Sequence, residues 1–93
     1  MKTQESWDFD NMATVLKFLG YRVVIYSNDH RPCHVHVMNV EHEAIFELHC
    51  PHGPPSLREN HGSRKARLNL IASRLQDNLN HLCRQWRNIH GNY

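Results

Sequence analysis

The sequence predicts an α+β domain with the order α-β-β-β-α, in which a three-stranded antiparallel sheet carries both helices on one face. Three observations lead to this prediction. Apolar residues recur at helical spacing near the start, three short segments rich in β-branched and aromatic residues follow, and a long amphipathic pattern closes the chain. A length of 93 residues is that of one domain, over 1–93, with the polar residues 1–10 as a candidate disordered N-terminus.

The first helix is predicted to begin around Asp8, where acidic side chains would lie near the positive end of the helix dipole. Its apolar residues are Met12, Val15, Leu16 and Leu19, at positions i, i+3, i+4 and i+7. Gly20 follows directly, where glycine commonly ends a helix. The pattern therefore predicts a helix whose apolar stripe packs on the sheet.

Three strands are predicted next, at Tyr21–Ser27, His34–Val40 and Glu43–His49. The segment Asn28–Pro32 separates the first two strands and is rich in residues that favour turns. The segment Pro51–Pro55 contains three prolines and a glycine, and it predicts that the chain leaves the sheet after the third strand.

A long helix is predicted from about Ser63 to His90, with a possible bend and with Gly91 at its end. Its apolar residues recur at spacings of three and four: Leu68, Ile71, Leu75, Leu79, Leu82, Trp86 and Ile89. Trp86 belongs to this stripe and is expected in the core.

The second and third strands predict a hairpin around Glu41–His42, in which the apolar side chains of both strands share one buried face. In this register His34 pairs with His49, and His36 pairs with Glu47. The exposed face would carry Val24 and six polar or titratable side chains: Arg22, Tyr26, His34, His36, Glu47 and His49.

The net charge of +2 is unevenly distributed. Residues 1–60 contain five basic and eight acidic side chains, whereas residues 61–93 contain six basic side chains and Asp77 as the one acid. A basic segment on an acidic body can attract phosphates or an acidic protein. The candidate nucleic-acid-binding residues are Arg22, Arg64, Lys65, Arg67 and Arg74.

The three cysteines Cys33, Cys50 and Cys83 are odd in number and lack the spacing of a zinc knuckle. This argues against a disulfide framework and favours reduced thiols. The sequence contains neither an apolar run long enough to span a bilayer nor an N-terminal secretory signal, so a cytoplasmic protein that makes no membrane contact is expected.

Nine histidines are unusual in a chain of this length, and two of them, His34 and His36, are two residues apart on one predicted strand. Their side chains would project from the same face, where Glu47 could orient His36 and where Arg22 or Tyr26 could hold an anion. This arrangement indicates general acid–base chemistry. The alternative is that these polar residues only hydrate an open sheet face.

A metal site is a further hypothesis. His34 and His36 could provide two ligands, and His49, Cys50 or His52 could provide the third. The spacing of these residues matches no specific metal-binding motif, so no metal ligand and no cofactor is assigned from sequence.

The segment Asn28–Val37, which reads Asn-Asp-His-Arg-Pro-Cys-His-Val-His-Val, resembles the hallmark of the domain of unknown function 4160 family. The resemblance extends over about residues 14–90 and includes Gly20-Tyr21, the Glu-Ala-Ile-Phe run that starts at Glu43, Asn60, and the segment 79–86. Cys33 stands where the family usually has a second proline, and the segment 51–60 is longer than in short members.

This resemblance implies a bacterial origin, a small antitoxin-like protein partner and functional positions at Asp29, His30, His34 and His36, but it implies no reaction. Family members are commonly described as toxin–antitoxin components. The predicted element order also resembles the double-stranded-RNA-binding fold and small ribonuclease toxins, which is an analogy of fold alone.

Two classes of function follow from the sequence. The first is a toxin-like protein that engages RNA through its basic C-terminal helix, with candidate catalytic residues Asp29, His30, His34, His36 and Glu47. The second is a non-catalytic module that binds a partner protein and uses the histidines to hold its hairpin together. Whether the protein is an enzyme, and whether it forms a homodimer, is left open by the sequence.

Overall fold

The computed structural model describes residues 11–93, so the predicted start of a helix at Asp8 and the candidate disordered segment 1–10 lie outside the described residues. Within these described residues, five strands are followed by two helices. The strands are β1 (Met12–Phe18), β2 (Tyr21–Tyr26), β3 (His34–Met38), β4 (Glu43–Glu47) and β5 (Ser56–His61), and the helices are α1 (Lys65–Asp77) and α2 (Leu79–His90). All neighbouring strands are antiparallel, in the order β1-β2-β3-β4-β5.

The predicted α-β-β-β-α order is therefore wrong, although the protein does combine helices with an antiparallel sheet. The sheet has five strands rather than three, and both helices of the described residues follow the sheet. The analogy with the double-stranded-RNA-binding fold and with small ribonuclease toxins depended on the predicted order, so it does not hold for the observed one.

Strand β1 lies where the first helix was predicted. A bulge in this strand interrupts the alternation of apolar residues that would have identified it. The pairing with β2 shifts between Thr14 and Leu16, which leaves Val15 as an extra residue. An extra residue moves the side chains beyond it to the opposite parity. As a result the adjacent residues Val15 and Leu16 both pack against the core together with Phe18, and an adjacent apolar pair is typical of a helical stripe.

Gly20 ends a strand rather than a helix. Leu19 and Gly20 form the two-residue connection between β1 and β2, and both have positive φ, at 49° and 84°. Positive φ at both central positions matches the tight hairpin turns that suit the twist of a sheet. Glycine after an apolar pattern is thus compatible with either ending.

The pairing of β3 with β4 differs by two residues from the predicted register. His36 pairs with Ile45, Val35 with Phe46 and Val37 with Ala44. The turn begins at Asn39, whose side-chain oxygen accepts the backbone N–H groups of Glu41 and His42. A shift of two keeps every side chain on its face, so the predicted buried face is confirmed.

The predicted exposed face is only partly exposed. Arg22 and His49 are exposed, but Val24 is fully buried and His34 is only 6% exposed. His36, Tyr26 and Glu47 are intermediate.

The chain returns to the sheet after the proline-rich segment, contrary to expectation. Strand β5 pairs with β4, and this pairing shifts between Ile45 and Phe46, where Arg58 is the extra residue. All six residues of β5 are exposed, so the strand lacks the apolar alternation by which strands are recognised in a sequence.

The predicted long helix is two helices that meet at Asn78. The backbone of Asn78 departs from helical geometry, and its side-chain amide donates to the carbonyl oxygen of Arg74 at 2.8 Å. Both helices bury apolar side chains against the inward face of the sheet, and Trp86, as predicted, is fully buried. The helical members of this core are Ile71, Leu75, Leu79, Leu82, Cys83 and Trp86.

The end of α2 fills the place where β2 and β3 stop pairing. The described ladder between these strands ends at Val24 and His36. Beyond it, His90 Nε2 lies 3.1 Å from the Tyr26 carbonyl oxygen, and the backbone N–H of Cys33 donates to the carbonyl oxygen of Tyr93. The end of α2 and the residues after it therefore supply the hydrogen-bond partners that a neighbouring strand would otherwise provide to the backbone of Tyr26 and Cys33.

The expectation of reduced thiols throughout is wrong, because Cys50, in the segment after β4, forms a disulfide with Cys83 in the middle of α2. Cys33 is free and buried, and burial raises the pKa of its thiol, which makes it a poor nucleophile. No helix in residues 11–93 combines the length and apolarity that crossing a bilayer requires.

Replacing both disulfide cysteines, with Cys50→Ser and Cys83→Ser together, should lower stability by about 3–4 kcal/mol, because the bridge closes a loop between positions 33 residues apart. Thermal unfolding with and without a reductant measures this. The oxidised wild type should lose stability in reductant, whereas the double variant should not respond. A wild type that melts identically in both conditions would contradict the disulfide.

Candidate functional site

A turn after β2 fixes the position of Asp29. One carboxylate oxygen, Oδ2, accepts the backbone N–H of Tyr26 at 2.9 Å, and the N–H of Asp29 donates to the Tyr26 carbonyl oxygen. This local bonding is typical of aspartate at turns, and it holds the side chain beside the end of the strand. The second oxygen, Oδ1, is left to face β3.

His34 and His36 present their rings to that oxygen. Because they are two residues apart on β3, their side chains share a face, and their ring centres are 5.4 Å apart. Oδ1 of Asp29 lies 3.4 Å from Nε2 of His34 and 3.3 Å from Nε2 of His36. The structure thus brings together three of the five candidate catalytic residues.

The Nδ1 atom of each ring is committed to an acceptor outside this cluster. Nδ1 of His34 lies 2.9 Å from the Pro32 carbonyl oxygen, and Nδ1 of His36 lies 3.1 Å from Oε2 of Glu43. A carbonyl oxygen can only accept, so Nδ1 carries the hydrogen in His34, and in the neutral ring the Nε2 lone pair is directed at Asp29. His36 faces a carboxylate at each nitrogen, so it donates to Glu43 through Nδ1 when Nε2 is left for a cation, and through both nitrogens when the ring is protonated.

Three polar atoms therefore converge, and a cation among them would stabilise the arrangement. That cation is either an added proton on a ring or a metal ion. In the metal-free protein, an added proton on His36 is favoured below the raised pKa of that ring. Burial acts to lower the pKa of His36, but hydrogen bonds to Asp29 and Glu43 raise it above its usual value.

The same contacts act in the opposite sense on Asp29. Burial acts to raise the pKa of its carboxyl group, but hydrogen bonds from His34, from His36 and from the Tyr26 backbone hold it far below its usual value. Asp29 is therefore ionised at neutral pH.

Aromatic contacts restrict how the two imidazoles can turn. The His36 ring meets Tyr26 edge-on at 4.8 Å between centres, and the His34 ring lies 5.3 Å from Trp86 of α2. The two histidine side chains are 14% and 7% exposed, and Asp29 is 12% exposed. The cluster is therefore held rigidly and is still reachable from outside.

A cavity of about 320 Å³ opens onto this cluster. Its walls combine the loop after β2, the polar face of β3 and β4, and the bulge in β5. They are formed by Asn28, Asp29, His30, Arg31, His34, His36, Ile45, Arg58 and Glu59.

The remaining candidate catalytic residues lie at the edge of this site or outside it. His30 is exposed and lines the cavity. Glu47 has its described contact with His49, at 3.9 Å, while the carboxylates beside His36 belong to Asp29 and Glu43. Sequence reasoning missed Glu43 because it centred the turn on Glu41–His42. Beginning the turn at Asn39, a favoured turn residue, would have brought Glu43 near His36.

Sequence reasoning also missed Arg31 and Arg58. Arg31 lies within the hallmark segment that drew attention to the histidines, so it could have been found there. Arg58 reaches the cavity because of the bulge, for which the sequence of β5 gives no signal.

The candidate nucleic-acid-binding residues lie away from the cavity. Arg64 and Arg67 line a separate cavity of about 580 Å³ beside the β3–β4 turn, and Lys65 is exposed next to them. Arg22 is exposed near the β1–β2 turn, and the Arg74 guanidinium lies over the Phe18 ring at 5.9 Å.

Two of the residues considered from sequence as a third metal ligand have other partners in the structure. Cys50 is bonded to Cys83, and His49 Nε2 lies 2.7 Å from the Ser56 hydroxyl. Within residues 11–93, the group of side chains that could hold a metal ion is Asp29, His34 and His36, whose ligand atoms all lie within 4.8 Å of one another.

Comparison with known proteins gives one match. A family model described as Domain of unknown function (DUF4160) matches residues 20–87, which is 68 of the 93 residues and includes the whole site. No curated protein and no solved structure matches the chain.

The cluster should make the stability of metal-free protein depend on pH. The raised pKa of His36 stabilises the fold below its unfolded value of 6.5, and this contribution is lost as the pH rises through the folded value. The lowered pKa of Asp29 stabilises the fold above 3.8, and this contribution is lost as the pH falls below that value.

Melting temperatures of wild type and of His36→Gln, both in chelator, isolate this effect from the other histidines. We expect the variant to be destabilised more at pH 5.5 than at pH 8.5. A difference between the two proteins that does not change with pH would show that His36 is not held in its charged form.

Proposed function

The chain belongs to the DUF4160 family, whose description assigns no activity, and we propose that it is a metal-binding protein whose centre is formed by Asp29, His34 and His36. Two imidazoles and one carboxylate form a common ligand set for Zn²⁺ in hydrolytic sites and for non-haem Fe²⁺. Three protein ligands leave coordination positions open, here towards the cavity. The centre is thus suited to activating a bound water or substrate.

The observation that carries this proposal is the commitment of both Nδ1–H groups to outside acceptors. Metal-bound histidines almost always donate their second N–H to a carbonyl or carboxylate, which fixes the tautomer and directs the free lone pair at the metal. The Pro32 carbonyl does this for His34, and Glu43 does it for His36.

Two of the three spacings among the ligand atoms, those that involve Asp29, agree with a tetrahedral ion. Ligand atoms bonded to Zn²⁺ at about 2.0–2.1 Å and separated by the tetrahedral angle lie about 3.3–3.4 Å apart. The distances from Asp29 Oδ1 to the two Nε2 atoms are 3.4 and 3.3 Å, and all three ligand atoms lie within 4.8 Å of one another. An ion would take the place of the shared proton between Asp29 and the two rings.

Protein prepared without a polyhistidine tag and stripped with chelator should bind one Zn²⁺ per chain, measured by calorimetry and elemental analysis. Asp29→Asn, His34→Ala and His36→Ala should each remove this site. Glu43→Gln should weaken it by roughly 10–100-fold, because Glu43 only orients a ligand.

His61→Ala is the matched control, since this histidine is exposed and its described contact is with Glu59. It should bind Zn²⁺ as the wild type does. Stoichiometric Zn²⁺ binding that persists in Asp29→Asn, or no binding by the wild type, would contradict the proposal.

A second candidate function is RNA engagement by a toxin-like protein. It is favoured by the exposed basic residues of the helical part, Arg64, Lys65, Arg67, Arg84 and Arg87, which outnumber the one acidic residue there, Asp77. Such a surface attracts the phosphate backbone without reading its sequence. A small antitoxin-like protein would then act by covering this surface or the cavity.

If three phosphates are contacted, affinity for single-stranded RNA should fall with salt at a log–log slope of about −2. Replacing Arg64 and Arg67 by Gln should flatten that slope to roughly −0.7, as expected for one contact. Fluorescence anisotropy across a salt series measures both values. A slope that is the same in the double variant would place RNA elsewhere, and wild type that leaves growth unaffected on induction would argue against the toxin-like role.

A further inference from the structure

We infer that the open side of the Asp29–His34–His36 centre binds a monoanionic phosphodiester, with one phosphate oxygen on the metal and the guanidinium groups of Arg31 and Arg58 on the others. This inference rests on the proposed metal-binding function and adds the chemical class of ligand. It draws on the wall residues of the cavity other than the three metal ligands.

Arg31 and Arg58 reach the same cavity from different parts of the chain. Arg31 lies in the loop that carries Asp29, and Arg58 lies on β5, at the bulge opposite Ile45 and Phe46. Ile45 in turn pairs with His36, so the bulge adjoins the metal ligands across one strand. A bulge redirects side chains, and here both Arg58 and its neighbour Glu59 line the cavity although adjacent strand residues normally alternate.

Both guanidinium groups are available for a ligand. Among residues 11–93, neither Arg31 nor Arg58 forms an ion pair or a side-chain hydrogen bond, and both are exposed. Arginine binds phosphate oxygens through a planar fork of N–H donors. Two guanidinium groups would donate hydrogen bonds to the phosphate oxygens. A metal with free coordination positions would bind another oxygen of the same phosphate as a Lewis acid.

The charge of the site selects a monoanion. Asp29, Glu43 and Glu59 contribute three negative charges, while a divalent metal and the two arginines contribute four positive ones, and neutral imidazoles add none. One positive charge remains. A phosphodiester carries one negative charge and neutralises the site. A phosphate monoester near pH 7 carries close to two negative charges and would leave the site negatively charged.

The size of the cavity agrees with a phosphodiester that belongs to a larger molecule. Its volume of about 320 Å³ is at the lower end for ligand sites, enough for the phosphate and part of each attached group. It is open to one side rather than enclosed, so the remainder of the ligand can extend over the surface.

The test uses Zn²⁺-loaded full-length protein and the dinucleoside monophosphate TpT as the probe, with binding measured by calorimetry. Arg31→Gln and Arg58→Gln should each weaken binding about tenfold, and the double variant about a hundredfold, since each removes charge-assisted hydrogen bonds. Lys17→Gln is the matched control, because this cation is exposed on β1 and does not line the cavity, and it should bind within twofold of wild type. A nucleoside monophosphate, which is a monoester, should bind more weakly than TpT.

Measuring Zn²⁺ in every sample separates the two claims. Zn²⁺-loaded wild type that does not bind TpT overturns the phosphodiester inference and leaves the metal centre standing. Protein that takes up no Zn²⁺ overturns the metal centre itself. TpT binding that is equally strong in stripped protein, or in the double arginine variant, also overturns the inference.

Discussion

The structure depends on one constraint, namely that β2 and β3 stop pairing partway along their length. Past Val24 and His36, backbone groups that would have bonded to a neighbouring strand need other partners, because an unpaired buried peptide group is costly. The end of α2 supplies them through His90 and Tyr93. In the opening this creates, the loop after β2 turns Asp29 towards β3, and Trp86 comes to lie against His34. The polar cluster is thus a product of how the sheet separates.

This origin explains why the ligand set could be only half predicted from sequence. Strand parity places His34 and His36 on one face, and that follows from a period of two. Asp29 is placed by hydrogen bonds within its own turn, and its approach to β3 depends on a helix that is more than fifty residues away in the chain. Glu47 has the correct parity for the same face, but with the turn beginning at Asn39 it is Glu43 that reaches His36.

The fold shows the same division between local and non-local information. Strands β2, β3 and β4 and the inward apolar face were predictable, because β2 is rich in β-branched and aromatic residues and the buried residues of β3 and β4, such as Val35 and Val37, recur at every second position. Strand β1 was mistaken for a helix because the bulge at Val15 places two adjacent apolar residues, Val15 and Leu16, against the core and so interrupts the alternation of a strand. Strand β5 has no apolar alternation, and it owes its place to pairing with β4. The Cys50–Cys83 bridge joins residues 33 positions apart, and an odd cysteine count does not exclude one bridge and one buried thiol.

The bulge in β5 has a second consequence, which concerns solubility. An edge strand presents unpaired backbone groups that can template the addition of strands from other molecules, and this is a common route to aggregation. In β5 the irregularity at Arg58 interrupts the regular edge, and the strand carries Arg58 and Glu59 in place of apolar residues. The bulge that places Arg58 at the cavity therefore also protects the β5 edge of the sheet against self-association.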